Sequence, residues 1–130
     1  MKKTIFTGAG VALVTPMNED GSVNYDVLEQ LIEFQIENGT DAIIACGTTG
    51  ESATMTTQEH CDVLEFIIKK TAKRVPVIAG TGSNETKVAT ELSVHAEKCG
   101  ADGLLIVTPY YNKASQHGLV KHYFHIADRV

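Results

Sequence analysis

These 130 residues carry no surplus of positive charge: 11 Lys and Arg stand against 16 Asp and Glu, a formal net charge of −5. That balance excludes a basic footprint for nucleic acid or for an anionic membrane surface. No apolar run is long enough to span a bilayer. The opening Met1-Lys2-Lys3-Thr4 is basic, but the segment after it holds Gly8 and Gly10, runs into Thr15-Pro16 and lacks a small-residue cleavage site, so no signal peptide is expected. Only three cysteines occur, Cys46, Cys61 and Cys99, odd in number and without CxxC spacing. They read as free thiols of a reducing cytoplasm. The five histidines, His60, His95, His117, His122 and His125, form no HxH or HExxH, and none pairs with a cysteine at metal spacing, so no metal site is expected. His122 and His125, three apart, read as a solvated helix face.

What is present is ordinary for a globular protein: 43% hydrophobic and 21% charged residues, in a chain long enough for one domain spanning 1–130 with one core. One pattern occurs four times, a short apolar run that ends in Gly, Thr or Pro and is followed by a helix pattern. Val11 to Pro16 is followed, after a polar loop from Asn18 to Ser22, by Asn24 as N-cap, by Leu28, Leu31, Ile32 and Gln35 at helical spacing, and by Asn38-Gly39 as a stop. Asp41 to Cys46 leads into Gly47-Thr48-Thr49-Gly50-Glu51-Ser52. Thr56-x-x-Glu59 then forms a capping box, Val63, Leu64, Ile67 and Ile68 form a stripe, and Lys69, Lys70 and Lys73 suit the negative end of the helix dipole. Val75 to Ala79 ends in Gly80-Thr81-Gly82, with Ser83 or Asn84 capping a helix whose stripe is Val88, Leu92, Ala96 and Cys99 and whose stop is Gly100. Gly103 to Tyr111 precedes a helix opened by Ser115, with Leu119, Val120, Tyr123, Phe124 and Ala127 on one face.

Run starts near 11, 41, 75 and 103 recur about every thirty residues, the size of a βα unit. Near-continuous apolar runs suit parallel strands buried on both faces. The sheet is then either doubly wound or a barrel. Small and hydroxyl residues cluster after each run, as they do where the loops of a (β/α)8 TIM barrel converge on one face. Four units make half of such a barrel, which is typically about 250 residues long.

Gly47 to Ser52 offers backbone amides and threonine hydroxyls to a small carboxylate. It lacks the Gly-Lys-Ser/Thr ending of a Walker loop and is no dinucleotide fingerprint; read without context, it is equally a well-capped turn. Tyr110 and Tyr111, after a strand end, can donate, accept or relay a proton, or simply pack. None of the nine lysines, Lys2, Lys3, Lys69, Lys70, Lys73, Lys87, Lys98, Lys113 and Lys121, lies within a strand-like run. All read as surface residues, without the apolar setting that depresses a nucleophilic lysine's pKa.

Phe6-Thr7-Gly8, Val11 to Pro16, Gly47 to Ser52, Pro76 to Gly82 and Val107 to Asn112, in this order, resemble the N-terminal half of the dihydrodipicolinate synthase family of class I pyruvate-dependent aldolases. The Gly-Thr-Thr-Gly-Glu-Ser and Tyr-Tyr-Asn forms favour that family over N-acetylneuraminate lyase and the keto-deoxy-sugar aldolases. The resemblance implies a Schiff base between pyruvate and a lysine on a sixth strand, attack of the enamine on L-aspartate semialdehyde in lysine and diaminopimelate biosynthesis, no metal or organic cofactor, and a homo-oligomer, a dimer of dimers. It assigns Thr48 and Tyr111 to a proton relay, Tyr111 acting across a tight dimer interface, and Thr49 to the pyruvate carboxylate. It places a lysine-effector site at Ser52, Ala53, His60, Asn84 and Tyr110, where Thr57 and Val88 depart from the histidine and glutamate of lysine-inhibited members. The second relay tyrosine, the carboxylate-binding arginine and the Schiff-base lysine belong to strands five and six, so 130 residues alone are expected to be inactive. The alternatives are a non-catalytic half-barrel, closed by a second copy or by a separate half, and an α/β domain that binds small anions without lysine chemistry.

Overall fold

A computed structural model describes residues 4–130. The basic start at Met1-Lys2-Lys3 lies outside the described residues. Strands and helices alternate: β1 (Gly10–Ala12), α1 (Tyr25–Glu37), β2 (Ala42–Ala45), α2 (Thr57–Thr71), β3 (Val77–Gly80), α3 (Thr86–Cys99), β4 (Gly103–Leu105) and α4 (Gln116–Ala127), with a 3-10 turn at Ser52–Thr54. All neighbouring strands pair in parallel, in the order β1-β2-β3-β4. Right-handed crossovers in a sheet that never reverses its order put every helix on the same side. A doubly wound sheet reverses at its switch point; a barrel does not. α1 packs on α2, α2 on α3 and α3 on α4, as in one arc of a barrel's outer ring.

The strands face two environments in alternation. Leu13, Ile43, Ala45, Val77 and Ala79 pack with Leu28, Ile32, Val63, Leu64 and Ile67 into the core between sheet and helices. The other set is partnered across the sheet, Ala12 with Ile44, Ile44 with Ile78 and Gly80 with Leu105. It forms the opposite, inner face, where Val14 and Leu105 are each 49% exposed and Val107 is 48% exposed. β1 and β4 are the sheet's edges among the described residues.

The caps follow local chemistry. The Asn24 side chain accepts from Val27 N, Thr56 and Glu59 form the reciprocal capping box, and Ser115 accepts from Gly118 N. At α3 the expectation fails. The N-cap is Glu85, without a side-chain cap bond, because Ser83 Oγ accepts from Glu85 N, ahead of the helix, and Asn84 is bonded to Asn112. The apolar runs are also longer than the strands. β1 ends at Ala12 and β4 at Leu105; the last ladder bonds run from Leu13 N to Ile44 O and from Thr81 N to Leu105 O, and Thr15 then turns its hydroxyl to Gly50 O.

Two helix faces differ from those expected. On α3 the buried positions are Ala89, Leu92, Ser93 and Ala96, while Val88 is only half-buried. On α4 the buried residues are His122 and Ile126, whereas Val120 is 53% and Phe124 65% exposed. α4 is apolar on several sides, so periodicity alone does not choose the side that meets α3. His122 therefore does not belong to a solvated face. It is buried, and its Nδ1 lies 2.9 Å from Thr86 Oγ1.

Candidate functional site

The loops that follow β2, β3 and β4 meet at one end of the sheet, and their packing is tight enough to dictate residue type. Gly80 leaves no room for a side chain: a Cβ there would lie 2.4 Å from Cys46 O and 2.9 Å from Gly47 N. Gly50 is less tightly placed, a Cβ there lying 3.2 Å from Cys46 Cα and from Leu13 O. Thr15 Oγ1 donates to Gly50 O at 2.8 Å, tying the end of β1 to the Gly-Thr-Thr-Gly turn. Inside that turn Gly50 N donates to Gly47 O and Glu51 N to Thr48 O. Those two amides close the turn, and Thr48 and Thr49 are exposed upon it.

The third loop is anchored from both sides. His60 Nε2, on α2, donates to Gly80 O at 2.8 Å, which fixes the proton on Nε2. Burial, and secondarily His95, lower the His60 pKa against the opposing effect of the Gly80 bond, so the ring is neutral at neutral pH. Thr81 Oγ1 and Ser93 Oγ share a buried hydrogen bond of 2.8 Å. Asn84 and Asn112 join the third and fourth loops through two hydrogen bonds. Thr108 Oγ1 lies 3.2 Å from the Tyr123 hydroxyl, which itself donates to Ile106 O.

Between these loops lies a cavity of about 350 Å³. Its lining includes Thr48, Ser52, Ala53, His60 and Tyr110, all named from the sequence. Asn84 is set back from it, held by Asn112. Thr49 and Tyr111 are not part of the lining, and Tyr111, at φ 70°, is 94% exposed. Within this chain the structure thus does not bring Thr48 and Tyr111 into one pocket.

Sequence reasoning missed Cys46, Met55, Thr56, Gly82, Ser83 and Leu92 as lining residues. Leu105 and Val107 also line the cavity, and their period-two spacing along the fourth run was the available signal. Burial pushes the Cys46 thiol up to about 12, so it is an inert neighbour of the threonine loop. The cavity lining contains no carboxylate and one histidine, His60. No helix among the described residues is long and apolar enough to cross a membrane.

The geometry can be set against known proteins. The model of the dihydrodipicolinate synthetase family matches residues 5–130. The 4-hydroxy-tetrahydrodipicolinate synthase of Lachnoclostridium phytofermentans is 60% identical over 126 residues, 97% of this chain and 43% of that protein. The synthase of Acetivibrio thermocellus is 59% identical over 130 residues, covering the whole chain and 44% of the relative. The crystal structure of the chloride-inhibited dihydrodipicolinate synthase from Acinetobacter baumannii, complexed with pyruvate, superposes with a TM-score of 0.94 at 52% identity, covering 98% of this chain and 43% of that one. The chain thus spans somewhat less than half the length of the relatives it matches, and its four βα units are half of their (β/α)8 barrel. It belongs to the dihydrodipicolinate synthetase family.

Proposed function

We propose that these residues form the N-terminal half of a cytoplasmic 4-hydroxy-tetrahydrodipicolinate synthase, which condenses pyruvate with L-aspartate semialdehyde in lysine and diaminopimelate biosynthesis. The observation that carries the reading is the convergence of the intact Gly47–Ser52 turn and the Tyr110-Tyr111 loop at one end of a sequentially ordered parallel sheet. In that reading a lysine of a later strand condenses with the pyruvate carbonyl, releasing water. The resulting enamine attacks the aldehyde carbon, and the product cyclises. Thr49 holds the pyruvate carboxylate. Thr48 passes protons to Tyr111 of a neighbouring subunit, a role in keeping with the outward exposure of that tyrosine.

Trapping tests the proposal. The protein at its natural length, incubated with pyruvate and borohydride, gains a reduced pyruvyl adduct on one lysine. The 130-residue polypeptide gains none, since no lysine among the described residues lies on a strand. No adduct in the longer protein, or an adduct within residues 1–130, overturns the reading. The exposed inner face at Val14, Leu105 and Val107 supports a second expectation, that the 130-residue polypeptide prepared alone pairs through this face and its strand edges. A solution mass equal to one 14.0 kDa chain contradicts it.

A further inference from the structure

On the outer side of the sheet, away from the loop cavity, α2 and α3 bring together a set of donors that the aldol chemistry does not use. His95 and Cys99 stand one turn apart on the same face of α3, with His95 Nε2 3.4 Å from Cys99 Sγ. Glu65 of α2 faces them, and donor atoms from all three residues lie within 4.8 Å of one another, each residue half-buried. This also corrects the expectation that no histidine pairs with a cysteine at metal spacing. The i,i+4 separation on a helix supplies that pairing, which a search for CxxC or HxH patterns does not find.

We propose that Glu65, His95 and Cys99 form a binding site for a zinc-like divalent cation, with a fourth coordination position open to solvent. Thiolate, imidazole and carboxylate together are the donor set of zinc. Ligands held about 2.0–2.3 Å from a tetrahedral ion lie roughly 3.3–3.8 Å from each other, a spacing His95 and Cys99 already have. Two present partners must yield. His95 Nε2 lies 3.3 Å from Cys61 O, so its proton moves to Nδ1 when Nε2 turns to the metal. Glu65 is paired with Lys69 one turn along α2, whose largely exposed ammonium is screened by water. Cys99 releases its proton to solvent on binding. Burial first, and the Glu65 charge second, hold that thiol above its usual pKa, so the cation must displace its proton and binding weakens as pH falls.

The test is cobalt(II) titration of the protein at its natural length, followed by zinc(II) displacement. The expected result is one equivalent of cobalt with a thiolate-to-cobalt charge-transfer band, removed by zinc. Cys99→Ser abolishes the band, and His95→Gln and Glu65→Gln each weaken cobalt binding at least about tenfold. Cys61→Ser keeps the band, because that thiol is not a ligand. All four positions are half-buried on outer helices, and far-ultraviolet circular dichroism reports whether each variant keeps its helices. The proposal is overturned by the absence of a band in the parent protein. It is equally overturned by a band that survives Cys99→Ser, or by one that depends on Cys61 while His95→Gln and Glu65→Gln leave affinity unchanged.

Discussion

Replacing Gly80 by alanine tests whether the threonine loop is held by backbone-to-backbone packing. The added methyl would sit 2.4 Å from Cys46 O, 2.7 Å from Cys46 C and 2.9 Å from Gly47 N. Ordinary contact begins at about 3.4 Å, so the end of β2 and the start of the Gly-Thr-Thr-Gly turn must retreat by roughly 1 Å. The obstructing atoms are main chain and cannot rotate away as a side-chain tip would. Ala45 and Cys46 are buried, and Gly80 O holds His60, so neither wall of the contact moves freely. Overpacking of this kind costs about 1–3 kcal/mol, and the rigid surroundings place Gly80→Ala toward the upper end. Gly47→Ala, next in the same contact, is the control: a Cβ there meets no atom within 4 Å, and the residue is not at positive φ. It should stay within about 0.5 kcal/mol of the parent. Urea unfolding of the protein at its natural length reads both variants as midpoint shifts at a common slope. Equal midpoints for Gly80→Ala and Gly47→Ala would refute the claim that this contact sets the loop's position.

Three further outcomes are expected. In the intact enzyme Thr48→Val lowers kcat more than it weakens pyruvate binding, because the hydroxyl is lost while the shape is nearly kept, whereas Thr49→Val raises the KM for pyruvate; an unchanged kcat for Thr48→Val in steady-state kinetics removes Thr48 from the relay. His60, whose pKa burial lowers in the folded state, contributes stability that is complete above its unfolded pKa of about 6.5 and is lost as pH falls through the folded value. His60→Gln should therefore flatten stability below about pH 6.5, and an identical pH profile in parent and variant counts against that linkage. Lysine should inhibit the intact enzyme weakly or not at all, since Thr57 and Val88 line a cavity that offers no carboxylate to an α-ammonium; tight, saturable inhibition would show that the charge is met elsewhere.

What the sequence determined by itself was mostly local. The βα periodicity, the caps at Asn24, Thr56 and Ser115, and the stops at Asn38-Gly39 and Gly100 all depend on neighbours within a few residues, so composition and spacing expose them. The Gly47–Ser52 motif was legible for the same reason, as a contiguous stretch whose residue types suit one turn. Tertiary packing decided the rest. Which side of α4 is buried depended on where α3 lies, and so His122 went inward while Phe124 stayed out. Where β1 and β4 end depended on which neighbour still pairs, not on the apolar runs that continue past them. The need for glycine at position 80 exists only because β2 ends against it across the sheet. The meeting of Glu65 with His95 and Cys99 likewise required two helices distant in sequence to pack at one height, a distance that no local pattern encodes.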